Sequence, residues 1–128
     1  MASILRVDTL TDASSNNSVP MATVSSGSLK AWADADMTGT ATLDDSFNIA
    51  SLTDNGTGDF TLAIANDMAN GAYAISFGFN NQSSNLDAHI RLLSDGHKLA
   101  ATVQCQKMEN NSATDGDCNT VMIAGDLA

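Results

Sequence analysis

Positive charge and aromatic bulk are what this chain has least of. Five Lys and Arg stand against 15 Asp and Glu in 128 residues, a formal charge of -10. The five cations, Arg6, Lys30, Arg91, Lys98 and Lys107, are scattered singly. Nucleic acid and anionic membrane surfaces both call for clustered Lys and Arg, so neither is an expected partner. Aromatics make up 5% of the residues, which forces any core to be lean and argues against a large multi-layer enzyme. No apolar stretch approaches the roughly 18 residues of a membrane helix. The opening Met-Ala-Ser-Ile-Leu-Arg is broken by Arg6 and Asp8 before a secretory run forms, so a soluble chain made in the cytoplasm is expected. Two cysteines, Cys105 and Cys118, set no redox compartment by themselves.

What is present is aspartate. Every acid except Glu109 is Asp, whose short side chain competes for nearby backbone N–H groups and so favours turns and caps over helix interiors. The charge therefore follows from a loop-rich β fold that builds its turns with Asp. Residues 1–28 read as an arm and linker: a strand-like piece at 3–10, then a polar Ser/Asn stretch at 11–18. That strand has no evident neighbour, so it is expected to dock on its own domain or on another chain.

From residue 19 onward, strand and turn signals alternate at close spacing. Residues 19–24, 29–35, 41–43 and 47–52 carry weak alternation. Asp54-Asn55-Gly56-Thr57-Gly58-Asp59 is the clearest turn, and residues 60–65 alternate with period two beyond it, which predicts a hairpin. In residues 72–79, Tyr73, Ile75, Phe77 and Phe79 share one face, expected to be the aromatic heart of the core. Short strands at 89–93, 100–108 and 120–124 complete the set. No window sustains a 3.6 period, and at most single helical turns are expected at 64–69 or 85–90. The expected fold is all-β, a β-sandwich or jelly-roll-like domain at 29–128 with an extended N-terminal arm at 1–28.

Chemistry is thin. Asp34 with Asp36, Asp44 with Asp45, Asp54 with Asp59 and Asp115 with Asp117 are paired carboxylates. Asp115-Gly-Asp117-Cys-Asn119 begins like a calcium loop but has Thr120 where the turn glycine belongs and no closing Glu, so solvated turn residues are expected rather than a metal site. His89 and His97 lie eight apart with no partner at ligand spacing. No nucleophile elbow and no phosphate-cradling glycine loop occurs, and no cofactor is implied; the expectation is a protein that is not an enzyme. Cys105 and Cys118 flank a polar hairpin loop expected at 106–117, across which a disulfide and a pair of free thiols both remain open.

Ser3-Ile-Leu-Arg-Val-Asp-Thr-Leu10, Lys30-Ala-Trp32, Thr38-Gly-Thr40, Asp45-Ser-Phe-Asn-Ile49 and Leu52-Thr-Asp-Asn-Gly-Thr-Gly-Asp-Phe-Thr-Leu62 together resemble small tail-fibre-like virion proteins of phages infecting aquatic bacteria, including cyanobacteria. The likeness runs from residue 3 to about 79 and consists of turns and core anchors. Residues 32–36 depart from that family's more usual aromatic and Asn pattern. The resemblance implies a homotrimer in a virion, made in the host bacterial cytoplasm. On it, Ile4, Leu5, Val7 and Leu10 form an assembly arm, and Trp32, Phe47, Phe60, Tyr73 and Phe77 are core or trimer candidates. Asp34 and Asp36 would form a ring of like charges around a trimer axis. A chain that ends at Ala128 leaves no length for a shaft, which favours capsid decoration or cement, bound to the major capsid protein, over a tail protein. The alternative is a tail-fibre module recognising host glycan through the amide-rich loops at 80–85 and 109–112.

Overall fold

The computed structural model describes residues 6–79 and 87–128, and the chain is an all-β sandwich-like fold of packed antiparallel sheets. One sheet has four strands in the order β4 (Thr42–Phe47), β3 (Leu29–Asp36), β11 (Asn119–Ala124), β7 (Ala74–Phe79). The other is built on β9 (Thr102–Glu109), which has β8 (Ala88–Leu92) on one side and, on the other, β6 (Asp59–Ile64) followed by the two-residue β10 (Ser112–Ala113). Strand β5 (Ile49–Gly56) closes that sheet beyond β6.

Alternation along β3 sets the packing. Ala31, Ala33 and Ala35 are fully buried, while Trp32, Asp34 and Asp36 point to the opposite face. Small residues on one inner face leave room for large ones from the other: Phe60, Leu62 and Ile64 of β6 join Ala31, Ala33, Val103, Cys105, Val121 and Ile123 in one buried cluster. Among the described residues Phe60 is the one fully buried aromatic ring. On β7, Ile75 and Phe77 face inward and pack against the core, but the aromatic heart is not there. Tyr73 is buried just ahead of β7, Phe77 is half-buried, and Phe79 is exposed at the sheet's end.

Two turns hold the sheets in place. Asn48, with φ of 57°, turns the chain from β4 in one sheet to β5 in the other. Its Nδ2 donates to Lys30 O (2.9 Å) and Asn66 O (3.1 Å), and its Oδ1 accepts from Asn66 N (2.8 Å), so one amide ties β3 to the segment after β6. The predicted β5–β6 hairpin is present, with Leu52 opposite Leu62, but its turn lies one step later than the Asn-Gly pair suggested. A bulge at Asn55 puts Gly56 opposite Asp59, and the glycines at φ of 130° and 68° bracket Thr57.

The N-terminal arm differs from expectation. Its strand pairs within the arm: β1 (Thr9–Thr11) lies antiparallel to β2 (Ser18–Pro20), with Leu10 opposite Val19. Residues 21–27, expected in part as strand, form the helix α1 (Met21–Gly27). This helix has no buried residue and therefore no apolar face for a 3.6 period to reveal. The polar stretch is the hairpin loop, organised by Asp12. Its carboxylate accepts from Asn16 N (3.0 Å) and Asn17 Nδ2 (2.8 Å), and these bonds hold its pKa below the ordinary 3.8.

Two outcomes test this account. Gly58 sits at φ +68°, where a Cβ would stand 2.6 Å from Lys107 O and 2.8 Å from Thr114 N, both rigid backbone. Gly58→Ala should destabilise the sandwich by about 2–3 kcal/mol in denaturant unfolding. Asp12 has a depressed folded pKa, so its contribution to the arm hairpin is present above 3.8 and is lost as pH falls through the lower folded value. The cross-strand NOE between Leu10 and Val19 should vanish in Asp12→Ala at neutral pH, and in the wild-type chain only when the pH is taken well below the ordinary carboxylate value of 3.8.

Candidate functional site

Three surfaces carry the residues with functional chemistry. The first is the arm. Every residue from 6 to 28 is exposed except Met21, and Val7, Leu10, Val19 and Val24 leave 37%, 46%, 41% and 37% of their surface in water. Val7 and Leu10 thus stand where an assembly arm needs them; Ile4 and Leu5 lie outside the described residues.

The second is the outer face of the four-stranded sheet. Strand register places Ser76, Met122, Trp32 and Phe47 in one row across β7, β11, β3 and β4. Trp32 and Met122 are half-buried, and Phe47 is 54% exposed. These two aromatics are therefore not core residues. The alanines of β3 take the inner face, and the bulge at Asp34/Ala35 keeps Phe47 beside Trp32 on the outer one. Leu29, Ala74, Ile75, Ser76, Met122 and Ala124 line a shallow apolar depression of about 160 Å³. The next row along is Gly78, Thr120, Asp34 and Asp45. Asp34 and Asp45 are direct cross-strand partners, and like charges in that position are unfavourable. Thr120 Oγ1 donates to Asp34 at 3.4 Å, and Asp36 is held below the ordinary carboxylate range by the hydroxyl and backbone N–H of Thr38. Among the described residues the one ion pair is elsewhere, between Lys107 and Glu109.

The third surface is the outer face of the β9 sheet, a hydrogen-bonded polar plane. Arg91 donates from Nη2 to Gln106 Oε1 (2.7 Å). Gln104 Oε1 accepts from His97 Nδ1 while its Nε2 donates to Asp59 Oδ1 (2.7 Å). Asn55 Nδ2 bridges Asp59 Oδ1 (3.2 Å) and Thr61 Oγ1 (2.8 Å). This network was missed from sequence because its members lie far apart in the chain; the available signal was the polar alternation Thr102, Gln104, Gln106 along β9. The amide-rich loop at 80–85 lies outside the described residues. In the other expected glycan loop, Asn110 and Asn111, at φ of 48° and 66°, serve as the turn from β9 to β10.

Several of the carboxylates accept backbone N–H groups at turns and bulges. Asp45 accepts from Ser46 N, Asp54 from Gly56 N and Asp115 from Gly58 N, all at 2.7–2.8 Å. Among the described residues no group of three His, Cys, Asp or Glu side chains is placed to hold a metal ion. At the end of the sandwich where the chain crosses between sheets, the Lys107 ammonium is itself buried, paired with Glu109 Oε1 at 2.9 Å and lying against Gly116. Asn119, also buried, donates to Ala35 O (2.9 Å) and Gly116 O (2.7 Å) and locks that crossing. His89 and His97 are both half-buried, and among the described residues His97 is bonded to Gln104 as described above.

The two cysteines do not flank a simple hairpin. Strand β9 turns back only as far as β10, and the chain then crosses to the other sheet, so Cys105 points into the core from one sheet and Cys118 precedes β11 in the other. Both thiols are free, and burial pushes Cys105 up to about 12, with the Asp59 charge adding to the shift.

No protein-family model matches the chain, and no curated protein or solved structure matches it significantly.

The thiol arrangement predicts selective chemistry. Iodoacetamide at pH 8 should add one group to the native chain, on Cys118, and two to the unfolded chain by intact mass, with Cys105 at least about tenfold slower when folded. A single species resistant to alkylation until reduced would mean that the thiols are bonded.

Proposed function

We propose that this chain is a non-enzymatic structural module of a bacteriophage virion, a homotrimer that decorates or cements the capsid through its N-terminal arm. The observation that carries this reading is the exposure of the arm. A three-pair hairpin followed by a seven-residue helix, with four aliphatic side chains in water, buries too little to be stable alone. Its apolar surface is best completed by a neighbouring protein. An arm that lays strands or aliphatic contacts across a joint between capsid subunits ties them together without chemistry. The sandwich supplies a compact, strongly anionic body.

A second reading, a tail-fibre module that recognises host glycan, is favoured by one observation. The plane of Arg91, Gln104, Gln106, Asp59 and Thr61 presents donors and acceptors already oriented by one another, a surface suited to sugar hydroxyls.

Deleting residues 2–20 separates these readings. The truncated chain should fold and keep its sandwich, yet be absent from purified virions that contain the full-length protein at many capsid positions by cryo-electron microscopy. Normal loading of the truncated chain would overturn the arm reading. Density confined to the tail, with glycan binding lost in Arg91→Ala, would establish the second.

A further inference from the structure

We propose that Lys107 and Asn119 join in an intramolecular amide bond, Nζ to Cγ with loss of ammonia, and that Glu109 moves the protons. The proposal goes beyond the virion reading and does not depend on it.

Among the described residues Lys107 and Asn119 are the two polar side chains that the sandwich buries, at 1% and 0% exposure. They stand on facing sheets. The buried positions of β9 run Val103, Cys105, Lys107 and those of β11 run Ile123, Val121, Asn119, so each strand closes its row of core residues with one of the pair. Successive carbonyls of the loop before β11 bond to both. Lys107 Nζ donates to Asp115 O (3.4 Å), and Asn119 Nδ2 donates to Gly116 O (2.7 Å). A Cβ on Gly116 would stand 2.9 Å from both Cδ and Cε of Lys107 and closer still to Nζ, so the missing side chain is what gives the lysine room there.

Both groups are costly where they lie. A buried ion pair such as Lys107–Glu109 gains little net stability, because desolvation offsets the attraction. Asn119 Oδ1 is buried with no hydrogen-bond partner among the described residues, although Nδ2 is bonded to Ala35 O and Gly116 O. The amide is thus anchored through its nitrogen, the leaving group of the proposed step, while its carbonyl is clear of protein donors. Forming the new bond discharges the ammonium and leaves Glu109 a neutral N–H to accept from.

The atoms balance without any co-reactant. Glu109 Oε1 lies 2.9 Å from Lys107 Nζ, within reach for proton transfer, and the ammonium passes it one proton. Rotation about the last side-chain bonds carries the neutral Nζ from the Asp115 carbonyl to Asn119 Cγ, where its lone pair forms the Nζ–Cγ bond. As Cγ–Nδ2 breaks, Glu109 gives its proton to Nδ2, ammonia departs, and Glu109 takes a second proton from Nζ. That proton leaves with the ammonia as ammonium, and nothing is oxidised or reduced. Amines attack amides very slowly in water; here the nucleophile is stripped of water and the reactants are held beside one another.

Intact mass of the purified full-length chain, held for several days at about pH 7.5 and 37 °C, reads the outcome. A chain about 17 Da lighter than its 13.2 kDa sequence mass, yielding on digestion a linked peptide that contains Lys107 and Asn119, supports the bond. The full sequence mass overturns it. A succinimide at Asn55-Gly56 or Asn70-Gly71 would shed the same ammonia, but it opens in mild alkali and persists in Lys107→Arg. A loss with that behaviour overturns the proposal, as does a loss of about 18 Da with Lys107 linked to Asp117. Asn119→Asp should lose about 18 Da in place of 17, since water then leaves. Glu109→Gln should slow the loss at least about tenfold, and an unchanged rate would overturn the role of Glu109. The wild-type mass decides the bond whether or not any variant folds.

Discussion

Strand β3 carries alanine on one side and lysine, tryptophan and aspartate on the other, and the rest of the molecule is arranged around that asymmetry. The three buried alanines let the facing sheet approach closely enough for Phe60, Leu62 and Ile64 to fill the interior with a single fully buried ring. A chain poor in aromatics can close a core only in this way, by pairing minimal side chains with large ones across the gap. The same choice expels Trp32 to the outside. The lean core and the apolar outer face are thus two consequences of one pattern, and any partner that covers that face completes what the alanines gave up.

Polar groups do the joining that a larger core would otherwise do. Asn48 ties the two sheets through a single amide, Asn119 locks the crossing near Gly116, and Asp115 accepts from Gly58 to fasten the β5–β6 turn to the segment between β10 and β11. Each satisfies backbone groups that would be costly to leave unpaired. The excess of aspartate has its explanation here. Asp12, Asp36, Asp54 and Asp115 each hold a turn or loop in this way, and part of the large net charge accompanies them.

Much of the strand order was legible because period-two alternation and turn residues are local. The β5–β6 hairpin, β3, β7, β9 and β11 all fall within a few residues of their expected places. Helix α1 was not legible, because a helix that buries nothing imposes no period on its residues. The turn at Gly56–Gly58 was displaced by a bulge that only the pairing with Asp59 reveals. The candidate surfaces were less legible still. The polar plane joins Asn55, Asp59, Arg91, His97 and Gln104 from four separate stretches of chain.

Local sequence determined that this chain forms short antiparallel strands, that aspartate makes their turns, and that alternate residues of each strand face opposite ways. It did not determine which way. Trp32 and Phe47 have the composition of core residues, and by hydrophobicity alone they belong inside. Only the tertiary structure decided otherwise, because burial is settled by the register of neighbouring strands and by the volume left between two sheets. Three consecutive inward alanines win that space together, since turning β3 over would bring Lys30, Asp34 and Asp36 into the core along with the indole.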